Sequence, residues 1–362
     1  MDSYVMSPIL KMARQPTTLC LVLLLLGVAH GFMSSEFSST RYFTDKGLLP
    51  PLKGRGLQPF ALNQTSDTAT LPYTTDTSSV LSLHGSSVPV TYTNNPKSVY
   101  RWLSDNLPYE GCTVGFDVEA LPLTRRRGRE RSPFDSAATV QLATAESCLV
   151  IHLARRSGKH SQACAPILES FLSDPGFVKA GCAIDEDLMA LYELWGGLDA
   201  KSRLDLGWVG GKQRTNRYGL KTLSKGLLGV DLPKPKEIAV SDWSAVPLTE
   251  KQIVYSARDA WAGAAIAAKL AEYDPEVFSH ESLVLSLPQV EPSISELVSK
   301  QRRRNRAKRD LQRLLAPYPK KHSDLPEKVQ AEVRNLRGLI KTRVMEPQLS
   351  FEVDNYLVER ED

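Results

Sequence analysis

Asp117 and Glu119 lie two residues apart in the apolar run Val114–Leu121. In a strand, residues i and i+2 face the same side, so the two carboxylates point at one place about 7 Å apart along the chain. Two like charges in apolar surroundings need a cation, and coordination of a metal by oxygen ligands keeps both ionised. Taken by itself, the pair also fits a strand end whose acids meet solvent or arginine. A second acid is placed by Thr249-Glu250-Lys251-Gln252, which has the form of a capping box and predicts a helix starting there. That helix runs through Ile253, Tyr255, Asp259, Ala260, Ala264 and Leu270. Tyr255 and Asp259 are four apart, so a phenol hydroxyl and a carboxylate share one face. As an isolated feature, many surface helices carry such a pair.

A third acid comes from a strand at Val178–Ile184 that leads directly into Asp185-Glu186-Asp187, with Leu188, Leu191 and Trp195 following at helical spacing. Asp185 and Glu186 suit the positive end of a helix dipole. Asp187 sits one turn before Leu191, at the buried edge, and is the residue of the three that faces inward.

In this order the three segments resemble the DEDD superfamily of 3′–5′ exonucleases, in the subclass whose third motif carries tyrosine. Phe116-Asp117-Val118-Glu119 is similar to the first motif, Gly181 to Leu191 with Asp187 to the second, and Tyr255-Ser256-Ala257-Arg258-Asp259-Ala260 to the third. The intervening Tyr218–Leu223, Leu227-Leu228-Gly229, Asp242-Trp243-Ser244 and Pro247-Leu248-Thr249 are similar to the Werner-type exonuclease domains, which group with ribonuclease D. The resemblance spans roughly residues 98 to 275. It implies two divalent ions, with Asp117 bridging both, Glu119 and Asp259 holding the ion that activates the attacking water, and Asp187 helping to hold the second, directly or through water. Tyr255 would orient the nucleophilic water. Oxygen-only ligands of this kind favour Mg²⁺ or Mn²⁺ over Zn²⁺. Two such ions supply a nucleophile at neutral pH and offset charge on the attacking and leaving oxygens of a phosphodiester.

The elements around these motifs predict a ribonuclease-H-like α/β fold, a mixed five-stranded sheet flanked by helices. Ala138–Thr144 and Cys148–Leu153 read as strands joined by a short turn, completing a three-stranded antiparallel unit with the Asp117 strand. Val178–Ile184 and Arg203–Leu206 alternate with helical patterns and add parallel strands. Helices are expected over Ser98–Leu107 and Ala163–Leu172. Residues 96–278 make up the exonuclease domain on this reading.

Five arginines, Arg125, Arg126, Arg127, Arg129 and Arg131, follow closely on the Asp117 strand. Such a loop can track a phosphate backbone, although its composition equally fits a solvated loop. A formal charge of +4 and a pI near 8.7 are compatible with nucleic acid as partner. Gly210-Gly211-Lys212-Gln213 lacks the first glycine and the Ser or Thr of a phosphate-binding loop. The five cysteines, at positions 20, 112, 148, 164 and 182, show no CxxC spacing and read as small buried hydrophobes, with one disulfide compatible with their spacing.

Residues 1–31 follow a signal-peptide plan: Lys11 and Arg14 precede the apolar Leu19–Val28, and Ala29-His30-Gly31 offers a cleavage site. Residues 32–95, rich in Ser and Thr, read as disordered or as a transit-peptide-like segment, so the whole leader resembles the bipartite presequence of secondary plastids. Secretion, with Asn63 as a glycan acceptor, an uncleaved anchor, and a nuclear location are the alternatives. No membrane span is expected once the leader is removed. Residues 279–362 form a basic, partly helical extension. Lys300–Lys321 reads as accessory nucleic-acid binding or a localisation signal, and Leu311, Leu314 and Leu315 are expected to dock it. The reading as a whole is a metal-dependent 3′–5′ exonuclease that releases nucleoside 5′-monophosphates, DNA before RNA. Ribonuclease-D-like RNA processing and a catalytically silent nucleic-acid-binding module are the alternatives.

Overall fold

The computed structural model describes residues 77–83, 86–108, 110–121, 137–154, 162–209, 218–318, 325–342 and 344–345. All belong to one compact unit, 49–362. The signal-like segment, the Ser/Thr-rich stretch as far as residue 76, the arginine loop at 125–131 and Gly210–Gln213 lie outside the described residues. Seven strands form one mixed sheet: β1 (Thr77–Leu83), β2 (Ser86–Thr93), β3 (Thr113–Ala120), β4 (Ala137–Ala143), β5 (Cys148–His152), β6 (Val178–Gly181) and β7 (Arg203–Asp205). Their order across the sheet is β1-β2-β5-β4-β3-β6-β7. The expected antiparallel unit is β3-β4-β5, with Asp117 opposite Gln141 and Gln141 opposite Val150. β6 and β7 join parallel, as expected.

Two strands exceed the expected five, and both come from the segment read as disordered. β2 lies parallel to β5 and buries Val88, Val90 and Tyr92, while β1 pairs antiparallel with β2. The folded domain therefore extends N-terminal of residue 96. Alternation of apolar and polar residues in Val88–Tyr92 is a strand signal of period 2 that the Ser/Thr-rich composition obscured.

Ten α-helices, with a 3-10 turn at Leu206–Trp208 and a π turn at Ser224–Leu228, complete the described fold: α1 (Pro96–Asn106), α2 (Ala165–Ser173), α3 (Ile184–Trp195), α4 (Leu220–Leu223), α5 (Lys236–Ala239), α6 (Glu250–Tyr273), α7 (Pro275–Phe278), α8 (His280–Val290), α9 (Ile294–Leu315) and α10 (Glu327–Lys341). None of them is long and apolar enough to cross a membrane. One face of the sheet packs Val114, Phe116, Val140, Leu142 and Leu149 against Val99, Trp102 and Leu103 of α1, Leu168 and Phe171 of α2, and Leu188 and Leu191 of α3. The other face meets α6 through Ala257, Ala260, Ala262 and Ile266. The extension after residue 279 is part of this core, since Ile294, Leu297 and Val298 of α9 join the first cluster. Those residues and Ala307 are buried, whereas Leu311, Leu314 and Leu315 are only half-buried, so the docking residues differ from the expected leucines.

Arg203, 1% exposed, ties this second half together. Its Nε donates to Asp185 Oδ1 at 2.8 Å and its Nη2 donates to the Pro292 carbonyl at 2.6 Å. Glu291 lies 3.7 Å from Nη1 and also accepts from the backbone N–H groups of Ser202 and Arg203, at 2.9 and 3.0 Å. Cys112, Cys148, Cys164 and Cys182 are free thiols, and burial pushes Cys148 and Cys164 up to about 12.

Candidate active site

The acids gather at the carboxyl ends of β3 and β6, where open α/β sheets commonly place their ligands. β3 alternates, so Val114 and Phe116 enter one core while Gly115, Asp117 and Glu119 face α6. Thr249 caps α6 through the capping box read from sequence: its side chain accepts from Gln252 N, and Gln252 Oε1 accepts from Thr249 N at 3.0 Å. Gln252 also donates to Ser241 Oγ and the Asp242 carbonyl, which anchors the preceding loop. This start fixes the rotation of the helix and turns Tyr255 and Asp259 toward β3. Gly115 permits the close approach. A Cβ there would overlap the Ala260 carbonyl and lie 2.8 Å from Ala264 N, and a Cβ on Gly263 would lie 2.8 Å from the Ala180 carbonyl.

Asp187 arrives by a different device. Ala183 takes a left-handed conformation (φ 63°), which ends β6 at Gly181, short of the Ile184 that apolarity alone predicts, and swings the chain into α3. Its N–H donates to Asp205 Oδ1 at 3.0 Å, a bond that offsets the ~1–2 kcal/mol cost of that conformation. Asp187 then stands in the first turn of α3, half-buried. Asp185, in the same turn, is buried against Arg203 and serves the fold, so its partner is a side chain rather than the helix dipole alone.

One carboxylate oxygen each of Asp117, Glu119 and Asp259 lies within 4.8 Å of the others. Asp187 is outside this tight triad but close enough to share its field. Burial, then the neighbouring Asp259, raises Asp117 to about 7; burial, then Asp117 and Asp259, raises Glu119 to about 9. Burial, followed by Asp117, Glu186 and Glu119, holds Asp187 well above the ordinary carboxylate range. Burial also raises Asp259, against the pull of Lys234, Arg258 and a hydrogen bond from Tyr255. Tyr255 is itself raised, by burial and by Asp259, and its ring lies 6.2 Å from that of Trp243. Asp259 Oδ1 is buried without a hydrogen-bond partner. An orphaned anionic oxygen inside a crowd of carboxylates is what a divalent cation would satisfy.

Lys234 escaped the sequence reading. Its Nζ is 3.7 Å from Asp259 Oδ2, and its charge lowers the proton affinity of Asp117, Glu119 and Asp259. Prolines on both sides stiffen its backbone, and Arg258 Nη2 donates to the Pro233 carbonyl at 2.7 Å. A lysine held between two prolines shortly before the third motif was the available signal.

Residues 99–273 match the model of a 3′–5′ exonuclease family. The mouse bifunctional 3′-5′ exonuclease/ATP-dependent helicase WRN is 33% identical over 52% of this chain and 13% of its own length. A 3′-5′ exonuclease of Arabidopsis thaliana is 30% identical over 41% of this chain and 49% of its own length. The chain thus spans less than half the length of either relative. The crystal structure of Escherichia coli RNase D is matched over 63% of this chain and 55% of that one, at 22% identity and a TM-score of 0.39. The acids of all three motifs are in place along this matched segment, which carries the chain's likeness to 3′–5′ exonucleases.

Proposed function

We propose that the protein hydrolyses phosphodiester bonds from the 3′ end of nucleic acid, with DNA the preferred polymer, and releases nucleoside 5′-monophosphates in a reaction dependent on Mg²⁺ or Mn²⁺. The observation that carries this reading is the triad of Asp117, Glu119 and Asp259 within 4.8 Å, with one oxygen of Asp259 orphaned. Bound divalent ions would supply a nucleophilic water and offset charge on the reacting oxygens. Asp117, Glu119 and Asp259 are the residues to hold them, and Asp187 supports the arrangement from α3. Tyr255 orients the attacking water, its hydroxyl kept protonated by burial and by the surrounding acids. Lys234 contributes positive charge at the rim, where a substrate phosphate would pass. The preference for DNA rests on the likeness of the segments between the motifs to Werner-type domains.

The test uses the purified chain on 5′-labelled single-stranded DNA, recessed duplex and RNA, with Mg²⁺, Mn²⁺ or EDTA. Stepwise shortening with mononucleotide release, confined to the divalent-ion samples and faster on DNA, is the expected result. Faster shortening of RNA would replace the DNA preference with ribonuclease-D-like trimming. Tight binding with no metal-dependent release would reduce the protein to a silent binding module.

A further inference from the structure

We propose that the exposed arginine face of α9 is a second nucleic-acid-binding surface, one that grips the backbone of a substrate strand away from the acid cluster; it rests on the exonuclease reading above. Much of the positive charge of this protein lies on two adjacent helices. α9 and α10 together hold twelve basic and four acidic residues, a net +8 against +4 for the entire chain. The remainder is therefore net acidic, and a polyanion has a strong reason to settle on these two helices.

The arrangement within α9 is ordered. Arg302, Arg306, Arg309 and Arg313 recur at i, i+4, i+7 and i+11, so they line one face, and all four are exposed. At 1.5 Å per residue the row is ~16 Å long. The first turns, ahead of the row, bury Ile294, Leu297 and Val298, and beside the row Ala307 is buried on the opposite face. α10 packs along α9, with Val333 and Leu336 buried and Arg304 Nε donating to the Ile340 carbonyl at 3.0 Å. This distinguishes nucleic acid from a lipid surface as the partner. An amphipathic helix binds a bilayer by inserting its apolar face, and the apolar face of α9 is already consumed by the core. What remains is a rigid row of guanidinium groups, suited to paired hydrogen bonds with phosphate oxygens.

The row is also tied to the active site. α9 packs on α3, and Arg302 clasps Glu193 with two hydrogen bonds, 2.9 and 2.7 Å. Glu193 lies six residues, ~9 Å, along α3 from Asp187. At about 3.4 Å per stacked nucleotide, a trinucleotide held at the acids ends near the start of the row, while a strand of twenty can lie along all of it.

The experiment compares the full chain with the variant Arg306→Gln/Arg309→Gln/Arg313→Gln, which leaves the Arg302–Glu193 pair intact. Binding to a 20-nucleotide strand is measured without divalent ions across a salt series, and hydrolysis of that strand and of a trinucleotide is measured separately. Loss of three single-strand phosphate contacts should flatten the log–log salt slope by about 2. The half-saturating concentration of the long strand should rise about tenfold or more, while saturated rates and trinucleotide kinetics stay as in the wild type. An unchanged slope and affinity would overturn the proposal. So would preferential binding of wild type to anionic lipid vesicles that the variant loses. Arginine-dependent binding in a chain that hydrolyses neither strand would uphold the surface and refute the activity, which separates the two readings.

Discussion

Gly115→Ala adds one methyl group two residues from Asp117, at the point where α6 comes nearest to β3. The new Cβ would overlap the Ala260 carbonyl and stand 2.8 Å from Ala264 N, where ordinary contact begins at 3.4 Å. Both obstacles are helix backbone, so no side chain can rotate away. Relief requires β3 and α6 to separate by more than about 1 Å, and overpacking of this kind costs ~1–3 kcal/mol. Asp259 and Tyr255 move with the helix, while Asp117 and Glu119 remain on the strand. A misplacement of about 1 Å in a positioned site costs ~100-fold in rate, or ~2.7 kcal/mol of activation free energy. The expected outcome is a folded variant with a lower melting temperature, a saturated single-turnover rate down ~100-fold, and a higher half-saturating concentration of Mg²⁺. Gly338→Ala is the control: it lies in the last turn of α10 and its Cβ meets nothing within 4 Å, so it should stabilise by up to ~0.5–1 kcal/mol and leave the rate alone. A Gly115→Ala enzyme with wild-type rate and wild-type metal dependence would show that the close approach does not position the site.

Asp185→Ala and Asp187→Ala should fail differently: the first leaves Arg203 without its 2.8 Å partner and costs ~3–5 kcal/mol of stability in denaturant titrations, while the second retains stability and loses turnover. Equal stability losses would refute the division of labour within that turn. Tyr255→Phe should lower the single-turnover rate at least ~10-fold with an unchanged metal midpoint, and a wild-type rate would remove the hydroxyl from the mechanism. With raised carboxyl groups, the folded chain retains protons that the unfolded chain releases above about pH 4, so their contribution to stability declines as pH rises through about 7 for Asp117 and 9 for Glu119. Lys179, lowered to about 7 by burial, acts in the opposite sense, so the measurement is a difference. In EDTA, the melting temperature of Asp117→Asn should gain on wild type between pH 5 and 9, and millimolar Mg²⁺ should reverse that order; a pH-independent difference would contradict it.

What could be read from sequence was whatever depends on near neighbours. The capping box of α6 needs four consecutive residues, and the Asp117/Glu119 and Tyr255/Asp259 pairings need only strand and helix periods, so each was visible. The two acids in the first turn of α3 could be ranked by helical phase, but not the reason Asp185 is buried: its partner Arg203 is 18 residues away, and Glu291 another 88 beyond Arg203. β2 was missed because composition outweighed a short alternation whose partner, β5, begins more than fifty residues later. Lys234 belongs to the site through packing around Arg258 and Pro233; its flanking prolines mark a stiff segment, but its partner Asp259 lies 25 residues on.

The carboxylate of Glu291 has a consequence beyond its link to Arg203. β7 is the last strand of the sheet, and the N–H groups at its start are occupied by Glu291 rather than by another strand. An open, unprotected edge is a template for pairing with a second chain, and a charged group seated across it denies that pairing. Glu291 therefore protects solubility as well as structure. Replacing it with alanine frees two backbone donors at the sheet margin and leaves Arg203 with one carboxylate fewer. The population to look for is oligomers that grow with protein concentration on light scattering, at temperatures where the remaining monomer is still folded. Monodisperse Glu291→Ala protein would show that this edge is guarded by something else.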